Sequence, residues 1–169
     1  MQKRIRFLVY GALIAAMYAS LTHLQNLLLP GSASWAIQIR VSEALCVLAF
    51  FTPAAIPGLT VGCVLFNLTF TTSLPLDAPV GGLATLLATA AMYLTRNVRL
   101  GKLPLPGLLM PALFNGLLVG WELSVYIGGA FWLNALYVAL GELIALLAVG
   151  IPVWSLLQRH DLANRLFGG

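Results

Sequence analysis

The chain has 169 residues, 60% of them hydrophobic and only 8% charged, with a mean hydropathy of +0.95. A soluble domain carries about 25% charged residues, so this composition excludes an ordinary soluble fold and reads as an integral membrane protein. The net charge of +4 comes from short basic clusters at the ends of apolar stretches, which reads as a topology signal and not as a nucleic-acid surface. Apolar and polar residues do not alternate, so helices are expected and a barrel is not.

Predicted helices fall at 5–29, 41–54, 56–74, 80–96, 106–127 and 132–157. The breaks between them are PGSAS at 30–34, TPAAIPG at 52–58, PLDAPVGG at 75–82, GKLPLPG at 101–107 and IGGA at 127–130. Each break is too short for a domain linker, so residues 1–169 are expected to form one transmembrane domain. The opening MQKRIRFLVYGALIAAMYASL has too long an apolar run for a signal peptide and no A-x-A site after it; it reads as a retained first helix. The segment 41–54 is short for a span. It is read as a crossing, with one arm of a re-entrant hairpin over 41–74 as the alternative.

Basic residues set the orientation. Lys3, Arg4 and Arg6 form one cluster, Arg96, Arg99 and Lys102 a second, and Arg159 and Arg165 a third. Placing all three in the cytoplasm demands even numbers of crossings between them. Six helices with both termini inside satisfy this. The loops at 30–39 and 75–79 and the turn at 128–131 then lie outside.

Ionisable residues within a membrane are expensive and face the bundle interior or a cavity. Arg40 and Glu43, three apart at the outer end of the second segment, share a helix face. As an ion pair alone they would contribute only a few tenths of a kcal/mol. The preferred reading is that they anchor that segment beside a pocket; direct ligand contact is the second. Asn115 and Glu122 are seven apart and share a face of the fifth segment, while Asn134 and Glu142 lie in one half of the sixth. These groups are expected to converge on an outward-facing cavity, with both carboxyls as ligand contacts. For Asn67, Asn115 and Asn134 the preferred reading is interhelical hydrogen bonding, which needs no ligand, with ligand contact second. Asp77 reads as a solvated loop residue. Trp35, Trp121, Trp132 and Tyr126 gather near the outer interface, as an aromatic belt or as a stacking wall over the pocket.

Small residues recur at i and i+4: Ala12/Ala16, Gly58/Gly62 and Gly116/Gly120. They suit close packing within the bundle or a docking face for another membrane subunit. Cys46 and Cys63 read as buried thiols, and His23 and His160 lie far apart. No Walker A loop, HExxH, GxSxG or paired Cys/His set is present, so no metal, no cofactor and no ATP hydrolysis by this chain are expected. A small bundle with one outer pocket looks like a binding subunit that needs a partner to move its ligand. A membrane-embedded enzyme using Glu122 and Glu142, or an autonomous channel, stays open as another class.

Read together, RVSEAL, FFTPAAIPG, GCVLFNL, PALFNGLLVGWEL and FWLNALYVALGELI, in this order from about residue 5 to 157, resemble the queuosine-precursor transporter (QueT) family. Its members are substrate-binding S components of energy-coupling factor (ECF) transporters. The resemblance implies a six-helix S-component bundle in the bacterial plasma membrane, not an enzyme. It implies a pocket near the outer face, built from the loop after the first helix and from the fourth to sixth helices. It implies that Ala12 and Ala16 meet a transmembrane T component, with two cytoplasmic ATPases completing the complex. The implied ligand is a 7-deazaguanine such as preQ1, preQ0 or queuine. The same fold with another small vitamin-like substrate is the alternative.

Overall fold

In the computed structural model, residues 2–32, 38–70, 74–101, 103–159 and 162–167 are described, and they are almost entirely helical. Helix α1 (Gln2–Leu28) is followed by a 3-10 helix over Val41–Phe50, then α2 (Ala55–Thr69) and α3 (Asp77–Leu94). A single turn, α4 (Leu105–Leu108), leads into α5 (Met110–Tyr126). Next, α6 (Phe131–Ala145) passes through a π-helical segment, Leu146–Gly150, into α7 (Ile151–Arg159), and α8 (Leu162–Phe167) follows.

Among the described residues, four helical stretches are long and apolar enough to cross a membrane: Gln2–Leu28, Asp77–Leu94, Leu105–Tyr126 and Phe131–Arg159. The other two apolar elements fall short. Fifteen residues of α2 rise about 22 Å at 1.5 Å per residue. Ten residues of 3-10 helix rise about 20 Å at 2.0 Å each. The hydrocarbon core is about 30 Å thick. Six apolar elements therefore stand near their expected positions, but the second is not the α-helix expected over 41–54. It is a tighter coil that ends before Thr52-Pro53, where proline disfavours continuation.

The other breaks have equally local causes. Pro152 lacks an N–H and crowds the carbonyl four residues before it, and the π-helical turn immediately precedes it. Gly128 and Gly129 sit at φ 89° and 87°, which side chains other than glycine rarely tolerate, and so reverse the chain between α5 and α6.

The 3-10 helix is the centre of the molecule. Ser42, Glu43, Ala44 and the run Cys46–Phe50 are all buried. Around it pack Tyr18 of α1, Leu59 and Cys63 of α2, Met92 of α3, Leu146 and Trp154. The outer faces expose leucines such as Leu13, Leu65, Leu117 and Leu136, a surface suited to lipid and not to water. This is a multi-pass membrane protein.

The glycine pairs serve packing within the bundle. A Cβ on Gly62 would stand 2.7 Å from Tyr18 Cβ and 2.8 Å from the Ala15 carbonyl oxygen. Gly58 meets Gly11 and Ile14 in the same way, and Gly120 meets Ala135 on α6. Gly62→Leu should therefore force α1 and α2 apart and lower stability by about 1–3 kcal/mol or more. Thermal unfolding in detergent reads this, and Val61→Leu, on the exposed side of the same helix, should leave the midpoint unchanged.

Candidate functional site

A stripe of polar side chains on α1 fixes the start of the 3-10 helix. Tyr18, Thr22 and Gln25 are spaced at i, i+4 and i+7 and are all buried. The Tyr18 hydroxyl donates to one oxygen of Glu43, and the Cys46 thiol donates to the other at 3.3 Å. Thr22 Oγ1 lies 2.6 Å from Ser42 Oγ. Gln25 Oε1 accepts from the Val41 N–H at 2.7 Å, while its Nε2 donates to Ser32 Oγ at 2.9 Å and to the Ile39 carbonyl. Residues 41, 42 and 43 are thus paired in register with 25, 22 and 18. This seam was absent from the sequence reading, although the three-residue polar stripe in an apolar helix is a visible signal for it.

The segment entering the 3-10 helix lies against α6. A Cβ on Gly141 would collide with the Gln38 carbonyl, so only glycine allows this contact beside Glu142. Arg40 reaches over the Phe66 ring, 5.5 Å from its centroid, with Nη2 3.5 Å from Gln38 Oε1. It is within electrostatic reach of Glu43, Glu122 and Glu142. Glu43 is 2% exposed and satisfied by Tyr18 and Cys46. The anchoring role expected for Arg40 and Glu43 is therefore carried for Glu43 by α1, a partner outside the hexapeptide.

Four other buried side chains keep polar atoms without a hydrogen-bond partner among the described residues. They are Glu122, with both carboxyl oxygens, Glu142 Oε2, Asn115 Nδ2 and Asn67 Oδ1. Glu122 is completely buried, and Asn115 lies two turns from it on the same face of α5. Asn67 uses its Nδ2 to donate to the Asp77 carbonyl at 2.7 Å. Asp77 is not the solvated loop residue expected. It opens α3, is half-buried, accepts from the Leu74 N–H at 2.6 Å and interacts with Glu122. A buried polar atom without a partner costs about 1–3 kcal/mol, and more when it belongs to a carboxylate. Five such atoms stand on α2, α5 and α6.

Other expected site residues stand elsewhere. Asn134 donates to the Gly128 carbonyl at 3.0 Å and holds the α5–α6 turn. Trp121, Tyr126 and Trp132 are 46%, 42% and 73% exposed. Trp35 lies outside the described residues, as does His160. His23 is bonded to Thr69 Oγ1 at 2.9 Å. Ala12 and Ala16 are exposed on α1, and Ala12 borders a shallow apolar groove with Pro57 and Val61. Cys46 and Cys63 are free and buried.

The family model for the QueT transporter matches residues 8–159 of this chain. None of the curated proteins and none of the solved structures compared with it matches.

Gln25 is the side chain whose loss should be felt most along the seam. Gln25→Leu strips a bond from Val41 N–H, Ile39 C=O and Ser32 at once. Amide hydrogen exchange at Val41 should accelerate as about 1–3 kcal/mol of local protection is lost. Exchange within α3 should stay as in the parent protein.

Proposed function

Because this chain belongs to the QueT transporter family, matched over residues 8–159, we propose that it is the substrate-binding S component of an ECF-type uptake transporter. It sits in the bacterial plasma membrane with six membrane segments and both termini in the cytoplasm. The basic clusters at residues 3–6, 96–102 and 159–165 support that orientation. Its ligand is a queuosine precursor of the 7-deazaguanine type, captured at the outer face.

The observation that carries this reading is Glu122: fully buried, with both carboxyl oxygens unpartnered. A deazaguanine presents a ring N–H and an exocyclic amino group side by side. One carboxylate accepts both, in a charge-assisted bidentate pair. Asn115 Nδ2, two turns deeper, offers a donor to a ring acceptor, and Glu142 Oε2 suits an aminomethyl cation. The acidic lining also disfavours a polyanionic vitamin. The family's T component meets α1 at Ala12 and Ala16, whose exposure leaves that face open to a neighbour.

Binding of preQ1, preQ0 and queuine to the purified protein tests the ligand. Glu122→Gln should weaken the best of the three by about 1–3 kcal/mol, whereas Trp132→Phe should leave affinity unchanged. Retention of thiamin or riboflavin with no deazaguanine bound would sink the substrate assignment while leaving the S-component reading in place. Assembly is tested separately. Ala12→Trp or Ala16→Trp should spare ligand binding and abolish co-purification with a T component and its two ATPases. Normal assembly of both variants would place the partner on another face.

A further inference from the structure

The buried acidic groups occupy one half of the bundle. At the other end, where α3 closes and α7 ends, lies a cavity of about 360 Å³ lined by Arg96, Asn97, Arg99, Trp154 and Gln158, among others. A second cavity of about 300 Å³ shares Trp154 and Gln158 with the first and adds Arg159. None of these residues takes part in the Glu122 site.

Among the described residues, the charges here are one-sided. Glu43, Asp77, Glu122 and Glu142 all belong to the far half, and the fifth acidic residue, Asp161, lies outside the described residues. Arg96 is already held in place. Its guanidinium stacks on the Tyr93 ring, 4.0 Å from the centroid, and Nη1 donates to the Tyr93 carbonyl at 2.7 Å. A guanidinium has five N–H donors, so that bond leaves most of them for another acceptor. Arg99 makes no hydrogen bond or ion pair with any described residue. Three like charges around adjoining hollows repel each other, and the side-chain amides of Asn97 and Gln158 add neutral donors between them.

We propose that these cavities form a phosphate-binding site, with Arg96 and Arg99 as its clamp and Asn97 and Gln158 as flanking donors. A forked guanidinium matches two phosphate oxygens at once, and pinning Arg96 beforehand reduces the entropy lost on binding. Two sources carry this chemistry: the headgroup of an anionic phospholipid, or a soluble phosphate compound. Basic hollows between membrane helices at a membrane surface are suited to the first. The indole of Trp154 supplies an apolar wall for the glycerol end of a lipid. The site is independent of the substrate proposed for the opposite half.

The test uses the full-length protein in detergent, with native mass spectrometry and thermal unfolding as paired readouts. Phosphatidylglycerol should be retained and raise the unfolding temperature, and phosphatidylcholine should do neither. Arg96→Gln/Arg99→Gln should weaken phosphatidylglycerol retention by about tenfold or more, while Arg4→Gln leaves it unchanged. If the double variant does not fold, Arg99→Gln alone, at an exposed side chain, should still show a several-fold loss. Inorganic phosphate that competes with the lipid, and stabilises the protein without it, would identify the soluble source. Inert phosphate beside retained lipid would identify the lipid. Equal retention of both phospholipids, or unchanged binding in the arginine variants, would overturn the proposal. So would binding of neither probe, which would instead suit an acidic segment of a partner protein.

Discussion

The hydroxyl of Tyr18 on the buried carboxyl of Glu43 is the contact from which the rest of the arrangement follows. A carboxyl taken out of water costs several kcal/mol unless its oxygens are met by donors. Tyr18 meets one oxygen and Cys46 the other. Satisfying Glu43 therefore fixes which residue of the 3-10 helix stands opposite which turn of α1. A slip by one residue would strand Glu43, and with it the Thr22–Ser42 and Gln25–Val41 bonds. In an apolar bundle, where close packing alone tolerates many registers, these directional bonds select one.

The central element is short and narrow, and the neighbouring helices close around it by backbone approach. Gly58 and Gly62 let α2 lie on α1, Gly116 and Gly120 let α5 lie on α6, and Gly141 admits the chain entering the 3-10 helix. Without a Cβ at these points the backbones come within van der Waals reach. The larger apolar core lies towards Phe50 and Trp154, and a smaller one of Val119, Leu123 and Val138 flanks Glu122 on α5 and α6. The polar atoms of Asn67, Asn115, Glu122 and Glu142 collect in the half away from Phe50 and Trp154. Both halves carry apolar packing, and the unmet polar atoms are interleaved with the smaller core.

Helix limits were legible because proline and glycine act locally: TPAAIPG, GKLPLPG and IGGA each end or begin an element in the structure. The coil type of Val41–Phe50 was not legible. Its sequence contains good α-helix formers, and its 3-10 hydrogen bonding accompanies tertiary burial on nearly every side. Glu122, Glu142 and Asn115 stood out because such groups are costly in an apolar segment. The tryptophans did not resolve the same way. Trp121 and Glu122 are adjacent in sequence, but successive residues point about 100° apart around a helix. One is exposed and the other buried. Asp77 was hidden by its loop-like setting, since PLDAPVGG does not reveal that a helix begins within it. Tyr18, Thr22 and Gln25 escaped because neutral polar groups are ordinary in membrane helices until their shared face is counted.

Two glutamates of identical chemistry divide the labour by their surroundings. Glu43 has its hydrogen bonds within the chain, so it holds structure and offers a ligand little. Glu122 is as deeply buried, and neither of its carboxyl oxygens meets a donor within hydrogen-bond geometry among the described residues, which is why the proposed ligand is placed there. Arg40 lies within electrostatic reach of both and of Glu142. The same logic separates the two ends of the bundle. Buried acids stand at one end and arginines border a hollow at the other, so the two proposed sites differ in the polar groups they present. In both proposals it is the character of the unmet polar groups, and not the size of a hollow, that selects the ligand.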